Sequence, residues 1–380
     1  MRQSKDPKEL WEPRRGLEDP VLRYVLSFLV KSDCPPLQGD QGDRILDQCK
    51  ALNIQPIVYE SLKEDSDKDL NDSTWFQTLR VESLKIAGAC SYRQQTIHRI
   101  VKALHRAGTK PILLKGPALA HTVYPHAHWR TSFDIDLLIN ASEWETANEV
   151  MLELGYQSST CLNWGFLSFE KSYAPSETYP EAPLVELHLR LNNRPALCVF
   201  SYQELLVNAT LMDLLGEHVL IPNKIEHFIY LCVHRIGHFP EDRRFAWLMD
   251  LYFLSRTFSD QEWEQLVELA DVKKVVNILR VCLEDLNHVL QLEIPGSVRS
   301  TLDKRSADEG EESSRYLYQR YSKAHDLVNR WLEIPSTKTK LAYLWRWIFP
   351  PKSYMNASFK SKHGLLQHME RILKGIRKYF

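Results

Sequence analysis

The 380-residue chain is short of several things, and each shortage narrows what it can be. Cysteine is sparse and unpatterned. Cys34, Cys49, Cys90, Cys161, Cys198, Cys232 and Cys282 are odd in number, scattered, and form no C-x-x-C. That argues against a disulfide frame or a zinc ribbon and for reduced thiols. Net charge is nearly absent, at −1, so no global field attracts nucleic acid and any polyanion must meet a local patch. The N-terminus, MRQSKDPKELWEPRRGLEDP, contains no apolar signal core. The longest early apolar stretch, Val21 to Val30, is interrupted by Arg23 and is too short to span a bilayer. No solenoid-type repeat is found. The expectation is a soluble cytoplasmic protein without integral membrane association.

What is present is ordinary globular material: 44% apolar and 26% charged residues, enough chain for two or three domains. Residues 1–18 read as a loose charged arm. Helical spacing follows at Leu22, Val25, Leu26 and Leu29, then near Arg44 to Leu52 and Ile57 to Lys63. The polar stretch Lys63 to Ser73 reads as an exposed loop. A long helix is expected from Thr74 to Ala107, with Ile97, Ile100, Val101 and Leu104 on one stripe and Gly108 at its C-terminal cap.

The sequence then changes character. Pro111 to Leu114 is a short apolar run of strand length, followed by Lys115-Gly116 and a helical pattern with Pro117 at the first helical position. A strand, a glycine turn and a helix start present free backbone N–H groups, which favour a phosphate. In Phe133-Asp134-Ile135-Asp136-Leu137-Leu138-Ile139 the period is two. Phe133, Ile135, Leu137 and Ile139 share one face and the two aspartates the other. Their Cα atoms are roughly 6.6 Å apart at a strand rise near 3.3 Å. Two acids on an apolar strand are costly unless neutralised, and a pair of divalent ions is the usual solution. The bland alternative is an edge strand with solvated aspartates. Leu184 to Arg190 reads as another strand, with Glu186 and His188 on its polar face.

Between these strands, Ser142 to Leu154 reads as a helix with Ser142 as N-cap and Glu145 at the capping-box position. A strand is expected from Phe166 to Tyr173, joined by a Pro-rich loop from Ala174 to Pro183. From Ile225 to Gln291 the pattern is helical. There His234 and His238 stand four apart, but the glutamate of a zincin is missing, so packing or substrate contact is favoured over metal. Ser306 to Ser314 reads as a linker. The tail from Lys338 to Lys378 is basic and aromatic. Its last helix, Leu365 to Tyr379, carries an apolar stripe of Leu366, Met369, Ile372, Leu373 and Ile376. Docking of that stripe on the protein itself is favoured over binding to nucleic acid or a membrane surface.

The glycine turn, the D-h-D strand and the later acid resemble the nucleotidyltransferase fold of the DNA polymerase β-like superfamily. More narrowly, Lys115-Gly116, Arg130, Asp134 to Leu138 and Glu186 to His188 resemble the family of uncharacterised nucleotidyltransferases. The chain departs from most of the superfamily in having Gly116-Pro117 where Gly-Gly or Gly-Ser is usual, which removes a serine contact to the triphosphate. The resemblance implies an α+β protein: a small mixed-sheet core over 110–222, a helical region over 1–109 and a helical domain over 223–380. It implies transfer of a nucleoside monophosphate from an NTP, ATP among them, to an unidentified hydroxyl acceptor on a small molecule, a protein or a tRNA. Asp134, Asp136 and Glu186 would be catalytic and hold two Mg²⁺ ions. Lys115, Gly116 and Arg130 would bind the nucleotide, and His188, His234, His238 and Arg244 would face the substrate. The competing readings are a catalytically silent nucleotide binder and a regulatory, antitoxin-like protein. Three acids kept together favour the active enzyme.

Overall fold

The computed structural model describes residues 19–31, 41–64, 68–158, 168–176, 182–238, 244–305 and 311–318, then 328, 331–332, 334, 336–352, 354–355, 367–371 and 373. The arm 1–18, residues 306–310 of the expected linker, and Leu366, Ile372 and Ile376 of the expected last helix lie outside them.

Among the described residues five helices precede the sheet: α1 (Pro20–Val30), α2 (Gly42–Leu52), α3 (Gln55–Glu64), α4 (Lys68–Asp72) and the long α5 (Thr74–Arg106). Asp19 accepts from the Val21 N–H and Pro20 occupies the first turn, so α1 starts with both of its terminal devices in place. α5 ends where Gly108 takes a φ of 82°, as its position predicts. β1 (Ile112–Leu113), α6 (Lys115–Ala120), β2 (Asp134–Leu138), α7 (Trp144–Glu153), β3 (Tyr156–Ser158), β4 (Glu170–Pro175), β5 (Leu184–His188), α8 (Tyr202–Asn208), β6 (Thr210–Leu214) and β7 (Glu217–Ile221) form the central region. Helices α9 (Lys224–His238), α10 (Phe245–Ser255), α11 (Asp260–Val272), α12 (Val276–Leu290), α13 (Gly296–Arg305), α14 (Arg315–Tyr318) and α15 (Thr337–Ile348) follow.

The protein is therefore mixed α and β, with one seven-stranded sheet in the order β3-β4-β5-β2-β1-β7-β6. β2 and β5 run parallel in the centre, with Asp136 opposite Glu186 and Leu138 opposite His188. β1 is antiparallel to β2 and parallel to β7. One sheet face, with Ile135, Leu137, Val185 and Leu187, packs against α7 and the stripe Ile97, Ile100, Val101 and Leu104 of α5. The opposite parity carries the acids and meets the larger core. That core joins residues of α1, α2, α3 and α5 to residues of α9 to α13 in a single cluster.

Several local expectations need correction. The helix after β1 begins at Lys115, not Pro117, because the chain reverses at Lys115, which takes the left-handed φ of 55°. Gly116 is not the turn residue. Phe133 is not on the inner face with Ile135. β2 starts one residue later, and Phe133 is exposed. Ser142 does not cap α7. A single 3-10 turn over Ala141–Glu143 intervenes, and the Asn140 side chain accepts from the Ser142 N–H instead. Met369 and Leu373, expected to dock on the helical domain, are more than half exposed. Their periodicity shows an amphipathic helix without saying what covers its apolar side.

Candidate active site

Strand alternation and parallel register build the site. On β2, Asp134 and Asp136 point to the same side, and on β5, Glu186 and His188 do. Pairing of Asp136 with Glu186 sets these residues abreast. The metal-ligating atoms of Asp136, Glu186 and His188 all lie within 4.8 Å of one another. Among the described residues no other such cluster of three occurs, so His234 and His238 do not gather a third ligand. Asp134 shares the face but lies outside this group.

Asp136 is the hub. It is almost fully buried, and its Oδ1 accepts from Lys115 Nζ at 2.8 Å and lies 2.8 Å from His188 Nε2. An ionised carboxylate can only accept, so His188 carries its proton on Nε2. Burial alone would push the Asp136 carboxyl up. The Lys115 charge and the His188 hydrogen bond outweigh it and hold the group well below the usual carboxylate range. Lys115 is half-buried, and the Asp136 charge outweighs the cost of that burial and raises its affinity for a proton. Glu186 is pushed the other way, first by burial and then by the negative charge of Asp136. It receives a hydrogen bond from Ser172 Oγ at 3.3 Å and lies 3.7 Å from His188 Nε2. Asp134 is likewise raised, by burial and by Asp136.

The glycine after Lys115 has a different task from the one its position suggests. A Cβ on Gly116 would stand 2.8 Å from Cζ of Arg130, so only glycine lets the guanidinium lie against this turn. Arg130 is itself buried and clamped. Its Nε donates to Asp250 Oδ1 at 2.6 Å and its Nη2 to Oδ2 at 2.8 Å, while Nη1 donates to the Thr131 carbonyl. Tyr124 donates its hydroxyl to the same Asp250 at 2.8 Å. The turn is thereby tied to α10, where Asp250 sits fully buried in an otherwise apolar run.

A family model for uncharacterised nucleotidyltransferases matches residues 38–291. The chain belongs to this family. No curated protein matches it. The family match takes in every residue of the site, from Arg93 on α5 to Asp250 on α10.

The other residues around this cluster come from α5, α9 and the start of α10. His234 is buried, with its ring 4.9 Å from Trp247 and 4.6 Å from His238. Burial first, then the nearby Lys115 charge, hold the His234 imidazole well below its ordinary value, so it is neutral. The Arg244 guanidinium lies 5.5 Å over the Trp247 ring and close enough to Asp134 to favour its ionised form. Arg93 and Tyr230 were not singled out from the sequence. Arg93 is on α5, and Asp134 supports its charge against the cost of burial. Tyr230 brings a buried hydroxyl to the Lys115–Asp136 pair, and burial pushes it up. One signal could have found Tyr230: it stands four residues before His234, which stands four before His238, one face of one helix.

The donor set fits a divalent cation. Carboxylates of Asp136 and Glu186 converge, burial and then the Asp136 charge raise the Glu186 proton affinity, and hard oxygen ligands suit Mg²⁺. The same surroundings hold Lys115, which answers part of the negative charge from within the protein.

Proposed function

We propose that the protein transfers a nucleoside monophosphate from an NTP to a hydroxyl acceptor. The observation that carries the reading is the convergence of Asp136, Glu186 and His188 on one face of adjacent parallel strands, with Asp134 beside them. Asp134, Asp136 and Glu186 would hold two Mg²⁺ ions. When bound, these would acidify the acceptor hydroxyl and offset charge on the attacking and leaving oxygens. His188 orients Asp136 through its Nε2 proton. Lys115 and the turn it makes into α6 face the triphosphate, and Arg130 packs on Gly116 beside that turn while its own charge is answered by Asp250. Arg93 and Arg244, both near Asp134, add positive charge on the nucleotide side. His234 and His238 line the acceptor side with Trp247. The described cysteines are all free thiols, consistent with action in the cytoplasm.

One observation favours a second reading, a silent nucleotide-binding or regulatory protein on the same fold. Asp136 is already neutralised by Lys115, and an acid with an internal partner does not require a metal. A single experiment separates the two. Purified protein is incubated with each NTP, Mg²⁺ and a panel of small-molecule, protein and tRNA acceptors, and pyrophosphate release is measured beside Asp136→Asn. The active reading expects Mg²⁺-dependent release that falls on the order of 10²-fold or more in the variant, with an unchanged circular dichroism spectrum. Equal release by the variant would overturn it. Saturable NTP binding without any release establishes the silent reading.

A further inference from the structure

Helix α15 has one side that is exposed among the described residues. Successive residues turn by about 100°, so Leu341, Leu344, Trp345 and Ile348 form a continuous stripe, prolonged by Phe349 just past the helix end. All five are exposed: Leu341 is 62%, Trp345 66% and Ile348 50% accessible. Tyr343, on the opposite side, is buried and packs with Ile334 and Trp331, so the helix is seated by its other face. Trp345 and Phe349 rest on each other, their ring centres 4.4 Å apart. More than half of the exposed large apolar side chains in the described residues fall between Val328 and Leu373. Single exposed apolar residues are normal, but a contiguous stripe of this size marks an interaction surface.

The charge around the stripe selects the partner. From Ser336 to Met369 the chain carries six lysines and arginines and no aspartate or glutamate, although the whole chain sums to −1. Lys338 flanks the stripe near its start and Lys352 follows its end, both exposed, while Lys340 donates to the Leu332 carbonyl at 2.9 Å and lies 5.6 Å over the Trp331 ring. The partner is therefore anionic. It is also apolar to some depth, because Leu341, Leu344 and Ile348 have no flat ring to stack on a base and gain only from leaving water. Tryptophans beside aliphatic residues, edged by lysine, are the composition of a helix lying in the headgroup boundary of a bilayer. A nucleic acid would use the lysines and tryptophans and leave the aliphatic residues wet. No described helix is long and apolar enough to cross a membrane, so the contact is peripheral.

We propose that α15 docks the protein on an anionic phospholipid surface, with Leu341, Leu344, Trp345 and Ile348 entering the interface and Lys338 and Lys352 on the headgroups. The surface lies beyond the family-matched region, which ends at residue 291, and is independent of the reaction proposed above. The test is co-sedimentation of the full chain with vesicles of phosphatidylcholine alone and of phosphatidylcholine mixed with phosphatidylglycerol. Binding should be at least tenfold stronger to the mixed vesicles and should weaken as sodium chloride is raised. Leu341→Glu with Trp345→Glu should abolish it, Ile348→Ser should reduce it, and Lys338→Gln with Lys352→Gln should reduce it several-fold. All three should keep the wild-type melting temperature, since none of these side chains is in the core. Failure to bind mixed vesicles, or equal binding by the Glu variant, overturns the proposal. So does concentration-dependent dimerisation that Trp345→Glu removes while vesicles are ignored, which assigns the stripe to a second copy. Binding of a single-stranded RNA that needs the lysines but not Leu341 assigns it to nucleic acid.

Discussion

Asp250→Asn is a sharp test of how the site is held. Asp250 is completely buried and accepts three hydrogen bonds: two from Arg130, at 2.6 and 2.8 Å, and one from Tyr124 at 2.8 Å. The substitution preserves shape, and Oδ1 can still accept from Tyr124. It removes the charge opposite a guanidinium that has no water to fall back on, and it turns an amide N–H₂ towards a donor. Breaking a buried pair from one side costs about 3–5 kcal/mol because the surviving charge is left uncompensated. Urea unfolding followed by tryptophan fluorescence should show that loss. Removing both charges together, Arg130→Met with Asp250→Leu and with Tyr124→Phe to avoid an orphaned hydroxyl, should recover most of the loss. The recovered protein should still release pyrophosphate poorly, because the guanidinium that packs on Gly116 is gone. A cost below about 1 kcal/mol for Asp250→Asn would refute the claim that Arg130 depends on this carboxylate. A paired variant no more stable than the single one would refute the charge argument.

Two further outcomes are expected. His227 is fully buried, its Nε2 has no hydrogen-bond partner among the described residues, and burial pushes its imidazole down to about 3. The unfolded chain protonates near 6.5, so between these values the unfolded state binds the extra proton. Stability then falls as pH drops below about 6.5, by up to about 1.4 kcal/mol per pH unit for this group. Denaturant titrations at several pH values should show a shallower fall in His227→Leu, and an unchanged slope would count against the assignment. Leu373 is more than half exposed, so Leu373→Asp should shift unfolding by no more than about 0.5 kcal/mol, readable as an unchanged thermal midpoint.

Much of the site was legible because strand alternation is a local property. Two residues apart on β2 means one face, and the same holds for Glu186 and His188 on β5. What local pattern does not encode is which strands meet and in what register. The pairing of Asp136 with Glu186 joins positions fifty residues apart, and a register shifted by one would have turned Glu186 towards Leu137. The same limit hid the β6–β7 hairpin, whose Leu215-Gly216 turn has positive φ at both positions and carries no asparagine or aspartate to announce it. Helical stripes fared by context. That of α5 is buried by the sheet, while Met369 and Leu373 obey the same spacing and remain in water.

Arg130 and Lys115 show how much of a cation's setting the sequence leaves out. Both stand beside the motif block, and both read as counter-charges for phosphate. In the fold each has a carboxylate partner within the protein, Asp250 for Arg130 and Asp136 for Lys115. Asp250 stands as the one acid inside Phe245-Ala-Trp-Leu-Met-Asp-Leu-Tyr-Phe-Leu-Ser, a run apolar all round that must be buried on every side. An acid there requires a buried cation, so the existence of a partner follows from the run, and its identity only from the fold. The two pairs then differ in kind. Arg130 is held by a two-pronged grip with a tyrosine behind it, and its geometry is that of a fixed part. Lys115 is a single ammonium on a flexible stem, on a residue whose left-handed φ turns the chain into α6. Its partner Asp136 is also the hub for His188 and Glu186. Of the two cations, Lys115 alone could leave its carboxylate without dismantling the packing of Gly116.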